Sequence, residues 1–139
     1  MNVLIMHQHP PIAREIAREV LKDPSCRILP ICNNYPDAFP HSTDADLIIV
    51  GPSSDQRHKP YTFAFNYLTS YVTDQHNFEP IPEHNKAVLV ALLGDDCSVT
   101  ETRCFEFGFD FVHQTINIAP NNFMYWISTA RMRKMQYFS

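Results

Sequence analysis

Three apolar runs in this chain are each followed by a polar loop and then by a segment with helical spacing. NVLIM (residues 2–6) leads through HQHPP into IAREIAREVL, and DLIIV (46–50) leads through GPSSDQRHKP into YTFAFNYLTSYV. KAVLVALL (86–93) leads through GDDCS into a Phe-rich run. Continuous Val/Ile/Leu is the pattern of a strand covered on both faces, and parallel neighbours need a helical crossover to bring the chain back. The repeat predicts an α/β domain in which an open parallel sheet lies between two layers of helices, a three-layer sandwich. Ligands of such sheets sit beyond the carboxyl ends of the strands, where strand order reverses.

The remaining elements follow from local signals. Pro10 and Pro11 open the first helix, which carries Ile12, Ile16, Val20 and Leu21 on one face and Arg14, Glu15, Arg18 and Glu19 on the other. A second strand is expected over residues 26–32 (CRILPIC), and Pro30 inside it removes a ladder donor, so it belongs at a sheet edge. Residues 33–44 read as loop, and Pro60 opens a second helix. Ser98 and Glu101 form a capping box that starts the next helix. FEFGFDF (105–111) alternates at period two like a strand, yet it follows that cap, and it is assigned to the helix. A fifth strand is then expected over 115–119 and a last helix over 122–135. Five strands with the second at an edge suit the order 2-1-3-4-5.

A chain of 139 residues makes one domain, 1–139, with a core that needs no metal or disulfide staple. Hydrophobic residues make up 45% and charged residues 19%, the composition of a globular protein. With 11 Lys+Arg against 15 Asp+Glu the net charge is −4, so no overall basic field recruits nucleic acid. No apolar run reaches the roughly 18 residues of a membrane span, and the first strand begins where a secretory leader would show a basic segment. A cytoplasmic protein is expected, with Cys26, Cys32 and Cys104 as reduced core thiols. Cys97 alone stands at a helix start, where the dipole favours a thiolate.

The loops at the expected ligand edge supply the candidate residues. His7 and His9 point to one side of an extended segment, but two histidines do not make a metal site, and only His58 and Asp95 are placed to approach. No metal is therefore assigned. In GPSSDQRHK, Ser53 and Ser54 can donate to phosphate or to a ring carbonyl, and Arg57 can pair with an oxyanion. Gly94, Asp95 and Cys97 precede a helix N-terminus, whose amides can meet a neutral ring edge. There is no G-x-S-x-G elbow and no ordered Ser/His/Asp set, so no catalytic residue is assigned. Arg131, Arg133 and Lys134 suit the negative end of the last helix without any partner.

DADLIIVGPSSD and VALLGDDCSVTETRCFEFG resemble the third and fourth strands of flavodoxins, with the loops that approach the flavin. The short flavodoxins that accompany ribonucleotide reductase, the NrdI type, are the most similar. The resemblance implies a flavodoxin-like fold and an FMN-binding electron carrier that docks on a redox partner such as ribonucleotide reductase. Gly51, Ser53 and Ser54, then Gly94, Asp95 and Cys97, would flank the ring. The first loop departs from the family's hydroxyl- and glycine-rich pattern. HQHPP has neither, and its two prolines remove two backbone donors, which leaves His7 and His9 to offset a phosphate charge. The alternative is a flavodoxin-shaped module without FMN that works through protein contacts or another small ligand.

Overall fold

The computed structural model describes residues 1–54, 87–93, 98–106, 108–114 and 118–135. Strands β1 (Asn2–Met6), β2 (Arg27–Ile28), β3 (Leu47–Val50), β4 (Val88–Leu93) and β5 (Phe111–Gln114) form one five-stranded parallel sheet in the order β2-β1-β3-β4-β5. The expected fold class and strand order are those observed. The described helices are α1 (Pro10–Val20), the short α2 (Tyr35–Ala38), α3 (Ser98–Glu106) and α4 (Pro120–Met135), with a 3-10 segment over Phe39–Asp44. The helix expected after Pro60 lies outside the described residues.

Side chains of a strand alternate between faces, and here both faces are covered. Val3, Ile5, Leu47, Ile49, Val88, Val90 and Leu92 project to one side, against α1 and α4. Leu4, Met6, Ile48, Val50, Leu89, Ala91 and Leu93 project to the other, against Tyr35 and Ala38 of α2 and Cys104 of α3. The register Val3–Leu47–Val88 keeps like faces together across the three central strands. Trp126 of α4 is wholly buried, edge-on to Phe123.

Four local differences from expectation have identifiable causes. The second strand is regular only over Arg27–Ile28; Pro30 interrupts the ladder, which resumes as a single bridge between Met6 and Cys32. The stretch 33–44 is ordered rather than loop, because Asn34 Oδ1 accepts the Asp37 amide at 2.9 Å and starts α2. On α1 the deepest positions are Ala13, Ile16, Ala17 and Val20, while Leu21 is 53% exposed; small alanines let the helix lie close to the sheet. The fourth difference moves a strand: α3 stops at Glu106, and β5 is Phe111–Gln114 rather than 115–119. Gly108 takes φ 104°, and the Phe109 amide returns to the Cys104 carbonyl at 3.0 Å, a left-handed helix stop that glycine permits. Phe109 then buries, Phe111 and Val112 belong to β5, and Phe105 stays half exposed, so the segment assigned whole to the helix divides at Gly108. Of the expected strand, residues 115–117 lie outside the described residues, and Ile118 and Ala119 precede α4.

The cations of α4 close the amino edge of the sheet. Arg133 donates to Asp110 Oδ1 at 2.8 Å and to the Ala87 carbonyl at 3.1 Å, while Asp110 Oδ2 accepts the Leu89 amide at 2.9 Å. Lys134 pairs with Asp46 at 3.0 Å, and Asp46 Oδ2 accepts the Asn2 amide at 2.7 Å. Arg131 reaches Asp23 at 2.9 Å and Ser25 Oγ at 2.6 Å. The cluster expected to answer only to its own helix end is thus bonded to carboxylates across the fold. Asp110→Ala strands the Leu89 N–H and half-frees Arg133, and should lower stability by about 2–3 kcal/mol in urea denaturation.

Candidate functional site

Strand order reverses between β1 and β3, so the crevice beyond their carboxyl ends is the site the topology offers. Its described walls are His7–His9 after β1, Gly51–Ser54 after β3 and Cys32–Tyr35 after β2. Main-chain bonds join all three. The His7 amide donates to the Cys32 carbonyl at 3.0 Å, Gln8 to Pro52 at 2.7 Å, and Ser54 to Asn33 at 2.9 Å. Ser53 is buried, and its Oγ accepts the Tyr35 amide at 3.0 Å.

The His7 ring fills what remains. It is 2% exposed and lies so close over Gly51 that a Cβ there would stand 2.3 Å from His7 Cδ2. Glycine is needed at 51 for this approach and not for backbone conformation, since its φ is not left-handed. His7 Nδ1 accepts the His9 amide at 3.0 Å, which assigns the ring proton to Nε2. Nε2 is itself buried, with no hydrogen-bond partner among the described residues. Burial, with the neighbouring His9 adding to it, pushes the His7 pKa down to about 4, so the ring is neutral at pH 7. His9 is exposed, its ring centroid 5.6 Å from that of His7.

Of the residues named from sequence, His7, His9, Gly51, Ser53 and Ser54 therefore come together, while Arg57, Gly94, Asp95 and Cys97 lie outside the described residues. His58 does too, and among the described residues no cluster of three or more His, Cys, Asp or Glu could hold a metal. The third wall was not anticipated. Its signal was present in Asn34 and Asp37, an N-cap spacing inside a stretch read as loop. Cys26, Cys32 and Cys104 are buried free thiols, and burial pushes the first two up in pKa.

No family model and no curated protein matches this chain. Solved structures do. The signal receiver domain of a putative LuxO repressor protein from Vibrio parahaemolyticus superposes with a TM-score of 0.74 at 11% identity, over 99% of this chain and 95% of that one. A CheY-like response regulator receiver domain from Methanospirillum hungatei JF-1 gives 0.74 at 9% identity, over 98% of each. A response regulator from Burkholderia pseudomallei, with a phosphorylated aspartic acid, calcium ion and citrate, gives 0.66 at 12% identity, over 98% of this chain and 72% of that one. These likenesses concern the fold.

They also correct the flavin expectation. The structures this chain superposes on are receiver domains of response regulators and not flavin carriers, so the FMN, flavoprotein and electron-transfer readings fall. The geometry agrees: a flavin phosphate at the first loop would meet a neutral, buried His7 rather than a cation. Gly51→Ala should cost about 1–3 kcal/mol in urea denaturation, because the added methyl displaces the ring. In a His7→Ala background the same change should cost under about 0.5 kcal/mol, a coupling that a double-mutant cycle measures directly.

Proposed function

We propose that this chain is a receiver-shaped regulatory module that acts through contact with a partner protein and carries no flavin. The observation that supports this most is the crevice itself, where three exit loops are bonded to one another and the His7 ring occupies the space between them. The described ends of β1 and β3 present His7, Gln8, Gly51 and Pro52. The aspartates among the described residues stand elsewhere: Asp23 after α1, Asp37 in α2, Asp44 and Asp46 ahead of β3, and Asp110 ahead of β5. The described ends of β1 and β3 thus offer no aspartate for the kind of phosphorylation that the Burkholderia protein carries.

The contact surface we infer is the outer face of α4. Met124, Tyr125, Met132 and Met135 are each more than 60% exposed and, at 3.6 residues per turn, share one side of the helix. Beside them a groove of about 550 Å³ runs between α4 and the end of α1, lined in part by Pro24, Pro120, Phe123, Met124 and Ile127. The helix's Arg131, Arg133 and Lys134 are bonded to Asp23, Asp110 and Asp46, so the face offers little free charge. The matching partner is accordingly a protein with an apolar, uncharged anchor, for which flexible methionines are suited. No helix among the described residues is long and apolar enough to cross a membrane, so this apolar side is not a span.

A photo-crosslinking residue in place of Tyr125 should give one discrete adduct in cells, mapped by mass spectrometry to this face and abolished by Met124→Glu with the fold intact. An adduct of two copies of this chain would replace the separate partner by self-association. The reading is overturned by saturable quenching of FMN at tens of micromolar, on the order of −6 kcal/mol. Uptake of a phosphoryl group from a small acyl phosphate would overturn it as well.

A further inference from the structure

The carboxyl-edge crevice holds a titratable ring in a setting that only one protonation state fits. The His7 ring is 2% exposed, its Nδ1 is the acceptor for the His9 N–H at 3.0 Å, and its Nε2–H meets no partner among the described residues. The space it fills exists because Gly51 has no side chain, with the ideal Cβ position 2.3 Å from the ring. A second proton has one place to go, Nδ1. An imidazolium has no acceptor, so that N–H would face the His9 N–H across a hydrogen-bond distance, donor against donor. A buried cation without a counter-ion is costly in itself.

We propose that His7 is a proton-operated latch on the β1–β3 crevice: the neutral ring seats over Gly51 and ties the β1 exit to α1, and uptake of a solvent proton at Nδ1 expels it. Expulsion removes the His9 amide's acceptor and loosens the turn in which the His9 carbonyl takes the Ile12 and Ala13 amides that begin α1. The cross-bonds from His7 to Cys32 and from Gln8 to Pro52 are the restraints that must yield with it. An opened crevice would expose the ends of β1 and β3, the place the fold reserves for a ligand.

The groups around the ring point the same way. His9, from the same loop, adds to burial in opposing a charge on His7. β3 contributes Gly51 and Pro52, which carry none. The β2 exit contributes Cys32, whose thiol is held neutral by burial and by Asp37, and Asp37 is not among the groups acting on His7. Asp55, Arg57, Asp95 and Asp96 follow β3 and β4 in sequence and lie outside the described residues.

The sign of the pH dependence is set by the ring's preference. The free imidazole protonates near 6.5 and the seated ring only near 4. Between those values the released state binds a proton that the latched state does not, so the latch is fully stable above 6.5 and weakens as pH falls toward 4. In that window the released fraction should rise about tenfold for each pH unit lost.

Hydrogen exchange by NMR, corrected for intrinsic rates, tests this on the whole chain. The Gln8 and His9 amides should lose protection about tenfold per pH unit from 6.5 down to 4, while Leu89 and Val90 of β4 keep theirs. Nitrogen shifts of the His7 ring should report the Nε2–H tautomer near neutrality and titration well below 6.5. His7→Gln, which keeps an acceptor but takes no proton, should flatten the exchange profile, and His9→Gln should leave its slope. The same slope in His7→Gln overturns the latch. Should that variant not fold, a His7 ring that titrates near 6.5 in the parent with Gln8 and His9 still protected overturns it equally.

Discussion

Leu47–Val50 of β3 and Val88–Leu93 of β4 are buried along their whole length, and a strand with no exposed face can exist only between two covering layers. Almost everything else in the molecule answers to that. α1 and α4 cover one side and α2 and α3 the other, and the register across β1, β3 and β4 keeps each face continuous. A one-residue slip between two of these strands would exchange the side chains offered to two different helix layers, so pairing is specified from both sides at once.

The two edges of the sheet have been put to different uses. At the amino edge Asp46 and Asp110 accept strand amides and bind Lys134 and Arg133, which fastens the end of α4 across the starts of β3 and β5. These carboxylates are structural because each is already satisfied by backbone and by a cation. The carboxyl edge, which the topology sets aside for ligands, is held by main-chain bonds and a neutral imidazole. The likeness to signal receiver domains is one of architecture, and at about one residue in ten identical it leaves the chemistry of each strand end to this chain's own residues.

That division explains why the flavin resemblance misled. An apolar run ending in a polar loop, as in DADLIIVGPSSD, is what a buried parallel strand requires whatever the sheet binds, so it does not by itself point to a flavin. The informative residues were the ones that departed from the pattern. HQHPP lacks the hydroxyls and glycines of a phosphate loop, and in the fold its first histidine points inward over Gly51 instead of outward to a ligand.

The sequence by itself determined the parallel sheet, its order and the edge position of β2, because each follows from local apolar runs and Pro30. It also marked His7, His9, Gly51, Ser53 and Ser54 as neighbours, since strand ends of a known order lie side by side. Only the tertiary structure decided that FEFGFDF divides between a helix end and β5, where the reversal at Gly108 competes with a helical reading of nearly equal strength. Only it decided that His7 is buried and neutral. Whether a histidine at a strand end faces solvent or the core depends on the room left by a residue more than forty positions away, and that room is the missing side chain of Gly51.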